Sequence, residues 1–192
     1  MSAIRRWRSG TTTRVLAVLF LATTGLAGQQ RSAWKPGEFQ GLVAGKSTWK
    51  DVIRVLGEIT PKTSAHLETF NYPRRGDFGA NVIVEVNRAT GVVETITLRF
   101  SPNITRTQAR KKYGEHYNEV QYSIADCPHE GVNGPVYRDP KGGIGLIEYP
   151  QQGLVLWPNE EGFDIAAALY LPKPLPGKKP MCGTAEKPRP SK

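Results

Sequence analysis

A short helix with both ends written into the sequence occurs twice in this 192-residue chain, and that repetition restricts the fold more than any other feature. Thr48-Trp-Lys-Asp51 fits a capping box, in which a hydroxyl and a carboxylate three residues on satisfy the free amides of a first helical turn. Trp49, Val52, Ile53 and Leu56 then fall at i, i+3, i+4 and i+7, one apolar stripe, and Gly57 followed by Pro61 supplies a left-handed stop. Thr105-Arg-Thr-Gln108 is a second capping box, with Ile104 placed to staple onto Ala109 and a stop at Gly114.

Strand patterns follow each helix. Leu67 to Pro73, "LETFNYP", reads as a strand. In "ANVIVEVNRATGVVETITLRFSP" Val82, Val84 and Val86 alternate with Ile83, Glu85 and Asn87, and "NRATG" holds the turn of a hairpin. The later run "IEYPQQGLVLWPNEEGFDIAAALYLP" repeats this order: Tyr149-Pro150 corresponds to Tyr72-Pro73, and Pro172 to Pro102. An insertion, "EVQYSIADCPHEGVNGPVYRDPKGGIG", separates the second helix from its strands. The fold expected is α+β, two tandem units that each pack a short helix (or helix pair) on an antiparallel β-meander. Residues 41–102 form the first unit and 103–172 the second, with a linker at 28–40 and a Pro/Lys-rich tail at 173–192. Trp49, Phe70 and Tyr113 are expected in the core.

"GLVAGKS" at Gly41 to Ser47 looks like a phosphate loop, but the spacing is one residue short. Counting back from Gly45, the first glycine belongs at residue 40, which is Gln40, and the preceding "SAWKPGEFQ" has no buried-strand pattern. Lys46 is then a solvated residue ahead of a helix, and no cofactor is expected.

Residues 1–27 have the parts of a secretory signal: Arg5, Arg6, Arg8 and Arg14, then the apolar run Val15 to Ala27, then small residues at the cleavage point. That run is too short for a membrane span, so the protein is expected to be exported, periplasmic or extracellular, with no transmembrane segment in the mature chain. Loss of the four arginines takes the formal charge from +9 to +5. The remaining cations are scattered among acids, which suits a solvated surface and gives no nucleic-acid motif.

Cys127 and Cys182 in an oxidising compartment are expected to form one disulfide. It would close a loop of about 55 residues, restrict the unfolded chain by roughly 4 kcal/mol, and tie the tail back onto the domain. "DCPHEG" at Asp126 to Gly131 places Cys127 and His129 two apart around a proline, which suits neither a nucleophile-base pair nor a metal site. "PNEEGFD" at Pro158 to Asp164 lacks the alternating acids of a calcium loop and reads as a hairpin turn. No catalytic or metal-binding residue is assigned.

The order Gly45-Lys-Ser47, Val52, Leu56-Gly57, an aromatic strand and an Asn87 to Gly91 hairpin resembles the small outer-membrane assembly lipoproteins of the SmpA/OmlA type. The duplicated helix-plus-sheet arrangement is similar to the related β-lactamase inhibitor protein, in which two such units form one concave sheet surface. The resemblance is best over residues 41–100. It implies a non-enzymatic, extracytoplasmic module whose sheet face or helix edge contacts another envelope or secreted protein. Two departures limit it. Gln29 stands where the lipidated cysteine would be, so no lipid anchor is expected, and the insertion around Cys127 changes one rim of the sheet.

Interfaces draw their energy from aromatics and arginines, so the contact residues expected are Tyr72, Arg74, Tyr149 and Trp157, near strand ends or turns. Two other classes fit the same sequence: an exported hydrolase or metal-dependent enzyme, and a cell-wall ligand binder.

Overall fold

The computed structural model describes residues 33–125 and 135–179. The signal-like segment and both cysteines, Cys127 and Cys182, lie outside the described residues, and with them the disulfide expected between the two.

Both helices form where their caps place them. Helix α1 runs over Trp49–Leu56; Asp51 accepts from the Thr48 amide at 2.9 Å. Helix α2 runs over Arg106–Tyr113, with the Gln108 amide donating to the Thr105 hydroxyl and the Gln108 side chain accepting from the Thr105 amide. Gly57 and Gly114 end them at φ 98° and 101°. With ψ of 165° and 173° this is extended backbone on the positive-φ side rather than the left-handed helical stop expected, and it still requires glycine.

The strands are β1 (Glu38–Phe39), β2 (Leu42–Val43), β3 (Lys62–Thr63), β4 (Leu67–Tyr72), β5 (Asn81–Asn87) and β6 (Val93–Thr105) in the first half. The second half adds β7 (Asn118–Ile124), β8 (Val136–Arg138), β9 (Ile144–Tyr149), β10 (Leu154–Pro158) and β11 (Asp164–Tyr170). Strands β1 and β2 pair with each other, and the other nine make one antiparallel sheet in the order β3-β4-β5-β6-β11-β10-β9-β7-β8.

The expected α+β pair of tandem helix-on-meander units is corrected by this sheet. The fold is β-rich, with two helices of eight residues against nine continuous strands. The two runs meet at their last strands, where β6 pairs with β11 over Ile96↔Tyr170 to Thr105↔Asp164. The expected units do not have a core each: one cluster joins Val52, Phe70 and Val84 of the first to Tyr149, Leu156 and Ile165 of the second. Two physical reasons account for this. An eight-residue helix is about 12 Å long and covers little of a sheet, and the insertion read as a rim folds instead into β7 and β8, which widen the sheet.

Phe70 and Tyr113 are buried as expected, but Trp49 is 42% exposed. Its amide donates to the Gly91 carbonyl, so the first helical residue lies against the β5–β6 turn instead of over the core. The glycine-lysine-serine run is bound up in local turns: the Lys46 and Ser47 amides donate to the Val43 carbonyl, and the Gly45 amide to Val93. Among the described residues no helix is long and apolar enough to cross a membrane.

Candidate binding surface

Alternation in the strands gives the sheet two faces. The inner face lies under the helices and is dry: Val82, Val84, Val86, Ile96 and Leu98 are all fully buried. On the outer face one register row crosses seven strands, Asn71↔Ile83↔Thr97↔Leu169↔Val155↔Glu148↔Asn118. The neighbouring row is Asn81↔Arg99↔Ala167↔Trp157. Over β4, β5 and β6 these outer residues are exposed or half-buried, Arg99 and Asn71 being exposed.

The four expected contact residues separate between the two faces. Tyr72 and Tyr149 point inward, 3% and 1% exposed. The Tyr72 hydroxyl donates to the Gly57 carbonyl at 2.8 Å, and the Tyr149 hydroxyl donates to the Gly114 carbonyl at 3.0 Å. Each tyrosine therefore closes the end of the helix in its own half, satisfying a carbonyl that the helix leaves free. Their assignment as contacts is corrected on that ground: the hydroxyls are spent and the rings are core. Burial raises the phenol of each above its ordinary value, which keeps both as donors.

Arg74 and Trp157 are not brought together: they lie at opposite ends of one outer-face row. The exposed Arg74 is fixed by its amide donating to Asn81 Oδ1 at 3.1 Å, at one end of the row that ends at Trp157. Four strands at about 4.8 Å spacing place the row's ends about 15 Å apart. Arg99 stands between them. Its alternation with buried Leu98 and Phe100 was the available signal, a cation on a strand face otherwise lined by threonines.

Beyond β11 the outer face changes character. Tyr122, Leu146, Val155 and Leu171 form a second apolar cluster, with Trp34, Trp157 and Leu175 packed against it. Leu175 belongs to the Pro/Lys-rich tail; its segment is held by the Arg138 amide, which donates to the Pro176 carbonyl at 2.7 Å.

A buried carboxylate sits in this cluster. Glu148 is fully buried, and it accepts from the Tyr122 hydroxyl and from two guanidinium nitrogens of Arg138. Arg138 Nε also reaches the Tyr122 oxygen at 3.1 Å. Burial first, then the bond to the carboxylate, raises the Tyr122 phenol, so it remains a donor. The three groups satisfy one another, and the Arg138 side chain reaches them from a position 25% exposed. The sequence signal was a lone acid inside the apolar run "IGLIEYP".

A search of protein-family models, of curated proteins and of solved structures finds no match for this chain.

Proposed function

We propose that the protein is an exported, non-enzymatic protein-binding module of the bacterial cell envelope, assembly-factor-like or inhibitor-like, that contacts another envelope or secreted protein through the outer face of its sheet. One observation carries this reading: a row of cross-strand residues that runs from half-buried Asn81 through exposed Arg99 to half-buried Trp157, with exposed Arg74 beside its first residue. Strands fix such side chains at low entropic cost, and aromatic and arginine residues at the centre of a contact supply most of its energy. The resemblance of residues 41–100 to the SmpA/OmlA-type lipoproteins supports the same class. The disulfide between Cys127 and Cys182 is part of the proposal.

A photo-crosslinking residue placed at Thr97, on the outer face, and another at Lys111, on exposed helix α2, test the proposal in the native host. The expected result is one dominant adduct from position 97, absent from position 111 and lost when Arg99→Glu is added. Equal adducts from both positions, or none, would overturn it. Thiol titration of the denatured, unreduced protein is expected to find no free thiol; two free thiols remove the disulfide from the proposal.

A further inference from the structure

The chain itself shows what the second apolar cluster accepts, because one of its own segments lies against it. Past β11 the run Pro172-Lys-Pro-Leu-Pro176 packs Leu175 onto the cluster, where Val136 and Ile144 also pack.

This segment is tied firmly at its start and lightly after it. Leu171 is 6% exposed; its amide donates to the Gly153 carbonyl at 2.8 Å, and its carbonyl accepts from the Gly37 amide at 2.9 Å and from Trp34 Nε1 at 3.3 Å. From Pro172 to Pro176 a single hydrogen bond follows among the described residues, the one that the Pro176 carbonyl accepts from the Arg138 amide. Lys173, Pro174 and Pro176 are exposed, and Pro172 and Leu175 are half-buried. The segment also walls a groove of about 510 Å³ together with Val92 and the first residues of β6, Val93 to Thr95, so on that side it meets open space.

One aliphatic anchor, one main-chain bond and three prolines make a removable strap. Proline fixes φ and donates no hydrogen bond, so such a segment is largely ordered before it docks and loses little entropy on docking. The surface meets it with two fixed features. One is the apolar seat of Leu175. The other is the Arg138 amide, a donor held in place because the guanidinium of the same residue is bound to Glu148 and Tyr122. Any segment that carries a leucine between prolines offers the same side chain and the same free carbonyl.

We propose that this surface is a docking site for an extended segment of a partner protein with leucine between prolines, and that Pro172 to Pro176 is a strap which the partner displaces. The docking does not involve Arg99, so it stands whether or not the Arg99 row meets a protein.

The probe is a fluorescent peptide of sequence PKPLPGK, residues 172–178, added to the full mature chain in reductant, so that the bond expected between Cys127 and Cys182 does not hold the tail. Fluorescence anisotropy is expected to show weak binding to the wild type and about tenfold tighter binding to Leu175→Ala, in which the chain's own competitor is weakened and the surface is intact. A merely structural leucine would not make a destabilised variant the better binder. Pro174→Gly loosens the strap without touching the cluster and is expected to tighten binding about threefold. Lys173→Ala is expected to bind as the wild type does. A peptide with aspartate in place of its leucine is expected not to bind. No binding by any variant, equal binding by wild type and Leu175→Ala, or equal binding of the aspartate peptide would overturn the docking site. A dimer that Leu175→Ala breaks into monomers would overturn the partner protein in favour of a second copy.

Discussion

The two ends of the sheet solve burial differently. Strand β5 alternates cleanly, with Val82, Val84 and Val86 fully buried between half-buried Ile83 and Glu85, because only its inner face has a core to cover. Strands β9 and β10 are buried on both faces, Leu146 to Tyr149 and Leu154 to Leu156 without a break. The one-sided end leaves its outer face exposed or half-buried. At the two-sided end a polar residue on the outer face is desolvated, and Glu148 survives there only because Arg138 and Tyr122 meet it.

Substitutions that break those partnerships should separate the two ends most strongly. Arg138→Ala leaves a buried carboxylate uncompensated and is expected to lower unfolding stability by about 3–5 kcal/mol. The comparable change at the one-sided end, Glu85→Ala, removes a half-buried carboxylate bonded to Thr95 and is expected to lower it by about 1 kcal/mol or less. Urea unfolding of both variants checks this, and equal losses would erase the distinction.

Leu175→Ala removes part of the cover over the second apolar cluster and is expected to cost about 1–2 kcal/mol, while Lys173→Ala, exposed on the same segment, changes stability by less than about 0.5 kcal/mol. Tyr72→Phe and Tyr149→Phe take the matching hydroxyl from each half and are expected to cost about 1 kcal/mol each. Thermal unfolding shows whether they match; a large inequality would mean that the helix ends are not equivalent.

The smallest effect distinguishes the two helix caps by acidity. Asp51 is held down at about 2 by its bonds to Arg54 and to Thr48. A carboxyl depressed in the folded state stabilises above its unfolded pKa and loses that contribution as the pH falls through its folded value, here from about 4 toward 2. Gln108 holds the corresponding position in α2 and does not titrate. The protection of amides at the start of α1, taken relative to the unstructured chain at the same pH, should therefore fall on acidification while that at the start of α2 stays unchanged, and Asp51→Asn should abolish the difference.

Local features were legible in the sequence wherever one residue's chemistry decides the outcome. Thr48 with Asp51, and Thr105 with Gln108, mark the helix starts because a cap is satisfied within four residues. Strand β5 was legible because one buried face enforces a period of two. Trp49 was misplaced because the stripe of a helix says nothing of which end overhangs the sheet. Of the insertion's strands, β8 was missed because three residues, Val136–Arg138, carry no pattern, and β7 because only Tyr122 of its seven residues is buried. Tyr72 and Tyr149 were read as contacts, yet their direction depended on helices contributed from elsewhere in the chain, whose end carbonyls they bond.

The hydrogen bond from the Arg138 amide to the Pro176 carbonyl has a further consequence. A sheet in solution presents unpaired amides and carbonyls along its outermost strands, and these are templates for a strand from another molecule. Here β8, only three residues long, has its Arg138 amide already occupied by the chain's own proline-rich segment, and at the other end β3 offers just two residues. Both margins are blunted against lengthwise growth. A sheet of nine strands thereby offers little free margin for another strand to pair with.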